Sequence, residues 1–587
     1  MLTSSISSAS TGESPSAQTE ALDERAPLLP NAPPTSQQAE VESRSLVKWL
    51  QNLPKQYDKR LLFSFFASQH LVKGFVFHIA LSATDYLYGQ YSVPATQMQV
   101  YEALVMMPWC LKPIYGMCSD LVPVWGYRKG PYIVAASLIG VASHYSLGFA
   151  VPGKMDIQRV VCLLFGVQFQ VTVVDLLMEA RYSEVISERP AGGPDIISFI
   201  WIGINMFGIL SQVAVGKCLE WGGPQLVFSL CCVPASLIIW SAMRNDILER
   251  FHDEAECVAK RMKLMEQPEI YGLSLLMLMV VVSSTLASIF LTSPWTQLFV
   301  ALVGAALLLV GFHLFLRPSI AKFNTYYMLQ ASTAVVLRGA TFYFYTDGPK
   351  EYPDGPHFSV NFFTTCVGTV SWVFSLIGVC VYNKYMKNWK YAHLLNVGCL
   401  AHSLVCLLDV LLFARLNKLL GIPDTALVLG SQSAQFAILQ WMWMPGMVCV
   451  SQMCPKGMEA TMFALLAGNF NYGQQVARFL GGVLLDAFKV DPAGLPNEGP
   501  RFERLWQVSL VASLLPLLSV LVAPFMVPDA RQTDDLLQDN PESATVGSWL
   551  SRRRAAQDSE AAAAEAQSRR AAEEEGRGQD VCMAAAG

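Results

Sequence analysis

The chain has 587 residues, of which 53% are hydrophobic and only 15% are charged, and its formal net charge is −5. Ordinary soluble domains carry about 25% charged residues, so this composition excludes that class and indicates a polytopic membrane protein. The sequence lacks the H-E-x-x-H, G-x-S-x-G and nucleotide-loop motifs of common enzyme classes. We therefore predict no enzyme activity, no cofactor and no nucleic-acid partner.

Both ends of the chain differ in composition from the middle. Residues 1–45 are rich in Ser, Pro, Ala and Gln, which predicts a disordered cytoplasmic tail without a cleavable signal peptide. Within this tail Glu24, Leu28 and Leu29 have the acidic-dileucine spacing that sorting adaptors bind, a short motif that also recurs by chance. Residues 531–587, rich in Ala, Glu and Arg, predict a second disordered cytoplasmic tail.

Between the tails, apolar stretches long enough to cross a bilayer core of roughly 30 Å recur along the chain. The first six cover about 61–87, 94–118, 131–151, 157–182, 195–217 and 224–243. Two almost wholly apolar stretches follow near 270–291 and 296–316. Six more cover about 323–346, 358–382, 391–414, 426–450, 459–487 and 504–528.

These fourteen spans predict an all-α polytopic membrane protein. We expect an N-terminal six-helix bundle over residues 46–250, a central loop with two extra transmembrane helices over 251–322, and a C-terminal six-helix bundle over 323–530. The two extra helices are read as peripheral. Transporters built from two such halves bind substrate between the halves near the bilayer midplane.

The distribution of Lys and Arg between loops predicts the orientation of the chain. Basic residues are frequent in the loops 119–130 and 383–390, whereas the acidic loop 347–357 carries few of them. We therefore expect the basic loops and both termini to be cytoplasmic. The expected location is the plasma membrane, with an endolysosomal membrane as the alternative. The fourteen cysteines are scattered without a C-x-x-C pair, so no metal site is predicted.

A polar stripe in span 4 is the strongest functional signal. Gln168, Thr172, Asp175 and Glu179 follow one another at steps of four, three and four residues, so they share one face of a helix. Carboxylates inside the membrane are costly and usually functional. We predict that this face lines a polar cavity and that Asp175 and Glu179, with Glu102 as a third candidate, bind the coupled proton. Glu179 could instead be a solvated helix end.

Three cations also lie deep within predicted spans: Lys73, Arg338 and Arg478. A buried cation must meet a carboxylate, a substrate anion or water, so each either binds substrate or forms a permanent salt bridge. For Arg338, beside Thr341 and Tyr345 on one face, binding is favoured. Asp85, Asp409 and Asp486 lie near span ends, where interfacial placement is the ordinary explanation. Polar stripes in spans 5 and 13 add three candidate binding residues: Asn205, Asn471 and Gln475.

The loop after span 2 carries a motif at fixed spacing. Gly116 and Asp120 are followed by Gly126 and Arg128, a pattern that resembles the cytoplasmic loop signature of the major facilitator superfamily. That resemblance implies a gate in which the first glycine lets helices approach and the aspartate caps a helix or pairs with arginine. Lys112 and Lys129 flank the motif and are included in the predicted gate. A basic tight turn is the alternative.

Longer stretches narrow the resemblance to the folate–biopterin transporter family. They are 112–120, 175–182, 339–346 and 455–468, while 351–359 and 383–389 look like its trypanosomatid-type branch. Together the likeness covers roughly residues 50–530. It implies uptake of folates, pterins such as biopterin, or S-adenosylmethionine, generally coupled to protons. Lys456 and Glu459 belong to one of these stretches and are predicted gating residues, although capping of span 13 could be the whole role of Glu459.

The residues themselves fit the first of these substrates. Folate is a dianion with a flat ring, so its site needs buried cations, polar partners for the ring edge and aromatic faces. We therefore expect a proton-driven importer of folate or pterins with alternating access. S-adenosylmethionine is a cation and would depend more on carboxylates and aromatic cages. A receptor that binds a pteridine without transporting it is the alternative of another class.

Overall fold

The computed structural model describes residues 46–188, 193–253, 268–454 and 459–532, with the isolated positions 255, 258, 262, 534 and 536. Four residues singled out above, Glu24, Leu28, Leu29 and Lys456, lie outside the described residues, as does the side chain of Glu459. The chain forms two compact units, residues 1–56 and 57–587. In the first unit the helix Leu46–Gln56 is described; the second contains all the helices discussed below.

Helices occupy each of the fourteen predicted spans, and we number the spans in chain order. The first six are span 1 (Lys59–Phe65, Phe66–Val76 and Phe77–Gly89), span 2 (Ala95–Met106, Met107–Leu111 and Lys112–Leu121), span 3 (Gly130–Gly148), span 4 (Ile157–Glu188) and spans 5 and 6, which are merged in Gly193–Met243. Gly223, with a φ of 65°, and Pro224 separate spans 5 and 6. These helices pack on one another as the N-terminal bundle.

The remaining spans follow after the central loop. They are span 7 (Pro268–Phe290), span 8 (Pro294–Phe315), span 9 (Pro318–Thr333 and Arg338–Thr346), span 10 (Asn361–Val367, Gly368–Val381 and Tyr382–Met386), span 11 (Tyr391–Phe413), span 12 (Asp424–Gln452), span 13 (Glu459–Phe488) and span 14 (Gly499–Phe502, Leu505–Leu514 and Leu517–Met526). A short helix, Leu416–Leu419, joins spans 11 and 12. Spans 9–14 form the C-terminal bundle.

The architecture is therefore all-α, with two six-helix bundles and two further helices between them in sequence. Within the described ranges no strand forms; two isolated bridges, Val124 with Tyr127 and Lys390 with Arg531, are the β-type pairings. Seven of the described helices are long and apolar enough to cross a membrane, judged by length and composition. The number of fourteen crossings stays a prediction.

Spans 7 and 8 both pack against span 13, and span 7 also packs against span 2, so the pair contacts both bundles. Tyr472 of span 13 is fully buried and its hydroxyl shares a hydrogen bond with Ser284 at 2.7 Å, while donating to the Ala301 carbonyl at 3.2 Å. Trp295 donates to Asp486 at 3.0 Å. The contact with span 2 is apolar, through Ala103, Met107 and Cys110 among others. Spans 7 and 8 thus bind the C-terminal bundle through hydrogen bonds, and their contact with the N-terminal bundle is apolar.

The two faces of the membrane domain are named by their loops. The basic-loop face carries residues 122–129 and 387–390, and the acidic-loop face carries 347–357. Successive spans alternate in direction, so the acidic-loop face also carries residues 90–94 and 489–498. Residues 489–498 bond to the 347–357 loop, and the Pro492 carbonyl accepts a hydrogen bond from the Ala95 amide at the start of span 2. These labels describe positions in the fold, and the orientation of the faces in the cell stays a prediction.

Candidate functional site

Span 1 brings Lys73 to the centre of the N-terminal bundle on a widened helix. Residues Phe66–Val76 form a π-helix, a geometry that is rare and often found at functional sites. This stretch packs closely against span 5, where a Cβ on Gly203 would overlap the His70 ring and one on Gly74 would lie 3.1 Å from the Ile204 carbonyl oxygen. The two glycines therefore allow the close approach that fixes the position of Lys73.

Lys73 belongs to a quartet of charges, with Lys112, Asp175 and Glu179. The Asp175 carboxylate binds the Lys73 ammonium at 2.6 Å and the Lys112 ammonium at 2.7 Å. Glu179 lies 3.4 Å from both ammonium groups. Asp175 is 1% exposed, whereas the Glu179 side chain is 23% exposed. The quartet balances two positive charges with two negative ones, and all four residues belong to the N-terminal bundle.

Two tryptophans flank the quartet. The Lys73 ammonium lies 5.7 Å from the centre of the Trp201 ring, and that of Lys112 lies 5.0 Å from the Trp109 ring. Such distances allow a favourable interaction between a cation and an aromatic face. The Trp109 indole N–H also donates a hydrogen bond to Gln168 at 3.1 Å. This bond connects the quartet to the first residue of the polar stripe on span 4.

A second group of four charges, which we call the interbundle cluster, lies nearer the acidic-loop face. Arg338 of span 9 donates through Nε to Asp85 of span 1 at 2.8 Å and lies 3.6 Å from Glu102 of span 2. Arg478 of span 13 lies 3.3 Å from the same Glu102 oxygen. Both carboxylates come from the N-terminal bundle and both guanidinium groups from the C-terminal bundle. The cluster therefore connects the two halves of the molecule.

A small cavity adjoins this cluster. It is lined by Leu81, Thr84, Asp85, Tyr88, Met98, Glu102, Val105, Met106, Gln168, Arg338 and Gly339, and its volume is about 10 Å³. That is about the space needed for one water molecule. The cavity lies between the bundles and reaches the polar stripe at Gln168. Asp175 is seven residues further along the same helix, or about 10 Å.

The bundles are also joined around the cluster on the acidic-loop face. Asp491 accepts a hydrogen bond from the Thr96 amide at 2.9 Å, and the Pro492 carbonyl accepts from the Ala95 amide at 2.8 Å, so residues after span 13 cap the start of span 2. The Gln99 side chain donates to the Val336 carbonyl at 2.5 Å. These contacts close this face over the cavity.

The other predicted binding residues are distributed unevenly around these groups. Asn471 donates to the Trp109 carbonyl at 2.9 Å, and Gln475 accepts from Arg478 at 3.4 Å, so both lie beside the charged groups. The hydroxyls of Thr172 and Thr341 donate to backbone carbonyls of their own helices. Asn205 likewise donates to the Trp201 carbonyl at 2.7 Å.

Tyr345 lies apart from the cavity. Its ring is buried and stacks on Phe358, with Phe363 and Phe413 within about 6 Å. Tyr345 is seven residues from Arg338, a spacing that puts both on one face of a helix. On that face Arg338 belongs to the interbundle cluster, whereas Tyr345 packs among aromatic rings. Its role in binding stays a prediction.

The loop motif forms a separate polar network near the basic-loop face. Glu249, after span 6, accepts from the amides of Arg128 at 2.7 Å, Lys129 at 2.8 Å and Gly130 at 2.9 Å, and so caps the start of span 3. Lys129 binds Glu184 at 2.5 Å. These contacts all lie within the N-terminal bundle.

The two glycines of the motif differ in whether the backbone requires glycine at their position. Gly126 has a φ of +79°, a conformation that favours glycine. A Cβ on Gly116 would meet its nearest neighbour, Leu176, at an ordinary 3.7 Å. The close helix approach that the resemblance implied for Gly116 is therefore not required here. Asp120 is half-buried at the end of span 2, and Lys112 lies in the charge quartet.

Sequence reasoning missed three residues that complete these groups. The sequence predicts an interfacial position for Asp85, but this residue is the nearest partner of Arg338. Glu249 and Trp109 were not singled out. Asp85 could have been identified because the deep cations need carboxylate partners. Glu249 could have been identified because it is an acidic residue in a basic segment.

Comparison with known proteins assigns the chain to a family. The model of the BT1 family matches residues 73–545, most of the chain. This chain belongs to the BT1 family. Among its relatives, "Probable folate-biopterin transporter 6" of Arabidopsis thaliana is 25% identical and covers 84% of this chain and 87% of its own length. "Folate-biopterin transporter" of Synechocystis sp. is 24% identical and covers 81% of this chain and 84% of its own length.

Solved structures identify the fold of this BT1-family chain. The crystal structure of a peptide transporter POT in complex with sulfate aligns with a TM-score of 0.56 at 15% identity, over 80% of this chain and 96% of that one. A second POT family transporter, solved with 5-aminolevulinic acid, aligns with a TM-score of 0.54 at 14% identity, over 78% and 95%. The fold is that of the major facilitator superfamily. The chain is a multi-pass membrane protein, and its family is one of transporters rather than enzymes.

Proposed function

We propose that this BT1-family chain imports folate, pterins such as biopterin, or both, by proton symport with alternating access. The observation that carries the proposal is the pair of charged groups at two depths of the bundle centre, with Arg338 and Arg478 facing Asp85 and Glu102 across the bundle interface. Buried guanidinium groups suit carboxylate recognition because they bind carboxylates in a bidentate way. The names of the relatives, which are folate-biopterin transporters, support the substrate class.

Within this proposal each predicted residue keeps a role. Substrate binding is assigned to Lys73, Gln168, Thr172, Asn205, Arg338, Thr341, Tyr345, Asn471, Gln475 and Arg478, and proton coupling to Glu102, Asp175 and Glu179. Gating is assigned to Lys112, Gly116, Asp120, Gly126, Arg128, Lys129, Lys456 and Glu459. Gln168 and Arg338 line the cavity, which supports their assignment most directly.

The placement in the cell is part of the same proposal. We assign the basic-loop face and both termini to the cytoplasm and the protein to the plasma membrane, because basic loops are retained on the cytoplasmic side. Residues 46–250 and 323–530 are proposed as the two transport domains, with 251–322 between them. An adaptor binding at Glu24, Leu28 and Leu29 would direct the chain to endolysosomal membranes instead.

A cationic substrate is the second candidate. The quartet brings two carboxylates and two tryptophans together, and a sulfonium such as that of S-adenosylmethionine favours carboxylates and aromatic faces. Two lysines already neutralise those carboxylates, however, so a cation would have to displace both ammonium groups. An anionic substrate would have to displace Asp85 and Glu102 from the arginines of the interbundle cluster, but a displaced carboxylate can be neutralised by taking up a proton.

Flux in reconstituted vesicles tests the proposal. Labelled folate and biopterin are offered at external pH 5.5 and 7.5, each against excess biopterin, methotrexate or S-adenosylmethionine. We expect saturable uptake that is faster at the lower external pH and is inhibited by the pteridines. Binding without flux would instead identify a receptor, and inhibition by S-adenosylmethionine alone would identify the second candidate.

Arg338→Ala separates a binding role from a structural one. Since Arg338 is assigned to a substrate carboxylate, the variant is expected to lose uptake of dicarboxylate folate by about tenfold more than uptake of uncharged biopterin, a difference of about 1.4 kcal/mol. Lys390→Ala, which removes an exposed ion pair with Asp529, serves as the matched control and is expected to transport both substrates normally. Equal losses for both substrates in Arg338→Ala would contradict a role in carboxylate binding.

A further inference from the structure

The interbundle cluster divides its charges by bundle. Asp85 and Glu102 belong to the N-terminal bundle, and Arg338 and Arg478 belong to the C-terminal bundle. Their side chains are between 14% and 26% exposed, so water screens them only in part. The Arg338 guanidinium also donates to the Leu81 carbonyl of span 1 at 3.0 Å, which adds a further bond across the same interface.

Separation of the bundles on this face therefore has a defined electrostatic consequence. It leaves two unpaired carboxylates on one wall and two unpaired guanidinium groups on the other, an arrangement that a low-dielectric interior strongly disfavours. The wall of carboxylates can be neutralised by protons and the wall of arginines by anions. Opening is thus favoured when both kinds of partner are supplied together.

The cavity makes the two states mutually exclusive. With the ion pairs formed, about 10 Å³ is free beside them, which admits one water molecule and no pteridine. A substrate carboxylate can reach Arg338 only after Asp85 has left it. Substrate binding and the Asp85 to Arg338 ion pair therefore compete for the same guanidinium group.

We propose that Asp85 and Glu102 are exchanged for substrate carboxylates on Arg338 and Arg478, and that each displaced carboxylate takes up one proton. This inference rests on the proposed function and refines it: the two coupled protons are carried by Asp85 and Glu102 in place of Asp175 and Glu179, and a dicarboxylate is the coupled substrate. One dianion enters with two protons, so the loaded cluster has the same net charge as the closed one. The protons come from the acidic-loop side and are released when the ion pairs form again.

The surroundings of the two carboxylates support this assignment. Asp85 and Glu102 face each other as well as Arg338 and Arg478, and their titratable neighbours include the phenols of Tyr86, Tyr88 and Tyr343. Both cations come from the other bundle. The quartet around Asp175 differs because its two lysines belong to the same bundle as its carboxylates, so a rigid-body movement of the bundles leaves it intact.

A first experiment requires no substrate. Hydrogen exchange of segments 95–106 and 338–346 is followed by mass spectrometry in proteoliposomes at pH 7 and pH 5, and protection is corrected for the intrinsic exchange rate. We expect wild-type protection in both segments to fall at pH 5, because protonation releases the arginines. Asp85→Asn is expected to show the lower protection already at pH 7. Wild-type protection that is equal at the two pH values would overturn the proposal.

A matched control is available in the C-terminal bundle. Asp409 is also a buried carboxyl within a span, but it accepts from Ser431 and Gln435, both at 2.7 Å, and takes no part in the cluster. Asp409→Asn is expected to keep the wild-type response to pH. If Asp85→Asn fails to fold, the double variant Asp85→Asn with Arg338→Gln removes both charges of the pair. It is expected to retain protection at pH 7 and to lose the pH response in 338–346.

A second experiment counts charge. With two protons per dianion, accumulation of labelled folate in wild-type vesicles is expected to be insensitive to an imposed membrane potential. Asp85→Asn carries one proton fewer, so an inside-negative potential of about 100 mV should lower its accumulation about fiftyfold, the factor for one elementary charge. Accumulation that is equally insensitive in Asp85→Asn would overturn the exchange. Failure to transport any pteridine, with the hydrogen-exchange response intact, would contradict the proposed function alone.

Discussion

The charge quartet and the interbundle cluster have the same composition and different connections. Each contains two cations and two carboxylates in the polar centre of the molecule; the quartet includes two contacts, of 2.6 and 2.7 Å, and the cluster one of 2.8 Å. The quartet joins spans 1, 2 and 4 within one bundle, whereas the cluster joins spans 1 and 2 to spans 9 and 13. The role of a buried ion pair therefore depends on whether its partners belong to the same bundle and move together. The quartet stabilises a bundle; the cluster stabilises one arrangement of two bundles.

The largest expected effect is on the quartet. Asp175→Asn leaves two buried lysines without their nearest carboxylate, and removing one partner of a buried pair typically costs about 3 to 5 kcal/mol. We expect a clear fall in the thermal unfolding temperature of the purified protein. The measurement is a thermal scan in detergent with substrate absent.

Glu179→Gln is the matched control for that variant. Glu179 is 23% exposed and lies 3.4 Å from the same two lysines, so its loss is expected to lower the unfolding temperature by much less. Equal effects of the two substitutions would show that the quartet is not held mainly through Asp175. The conclusion that the quartet stabilises the N-terminal bundle through Asp175 would then be contradicted.

A third buried carboxyl lies outside the membrane-spanning segments. Asp347 follows span 9, and burial, together with the nearby acids Glu498 and Glu351, raises its pKa from 3.8 to about 7. The folded state therefore binds this proton more tightly than the unfolded state does. The resulting stabilisation is complete below pH 3.8 and is lost as the pH rises through about 7.

Asp347→Asn should remove this dependence. We expect the variant to unfold at a higher temperature than wild type at pH 8 and to gain nothing at pH 4, because the wild-type carboxyl is then protonated. Thermal scans of both proteins between pH 4 and pH 8 make the measurement. A constant difference across the range would mean that Asp347 keeps its proton, or lacks one, at every pH tested.

The smallest expected effect concerns the contact that surrounds the interbundle cluster. Asp491 caps the Thr96 amide from the opposite bundle, and loss of such a cap costs about 1 kcal/mol. Asp491→Ala is expected to speed hydrogen exchange in residues 95–99 by about fivefold, as that energy implies. Asp491→Asn keeps an acceptor oxygen and should change exchange less. Unchanged exchange in both variants would show that the cap does not hold the bundles together.

The sequence predicted the helical segments well because length and hydropathy are local properties. Span 4 is predicted at 157–182 and extends over Ile157–Glu188, and the stripe from Gln168 to Glu179 does present its carboxylates to one site. The same local reasoning read spans 7 and 8 as peripheral. Their packing on span 13 depends on Tyr472 and Ser284, which are 188 residues apart, and no local pattern contains that information.

The pairing of charges could be predicted only in part. A deep cation needs a partner, and this requirement was visible for Lys73, Arg338 and Arg478. Which carboxylate each cation meets depends on the rotation and tilt of the helices. Asp85 and Arg338 are separated by 253 positions in the sequence, so no local pattern could identify them as partners. The sequence predicts Lys112 as a gating residue beside the loop motif; its side chain binds Asp175, and its role in gating stays a prediction.

The π-helix of span 1 has a consequence for how the two charged groups relate. Lys73 lies within Phe66–Val76, and Asp85 follows twelve residues later on the same continuous span. Residues 74–76 of the π-helix lie between them, and the rest of the interval is α-helical. Since a π-helix has more residues per turn than an α-helix, the angle between Lys73 and Asp85 around the helix axis is smaller than twelve α-helical residues at about 100° each would give. The irregular winding of span 1 thus contributes to the direction in which each charged group faces.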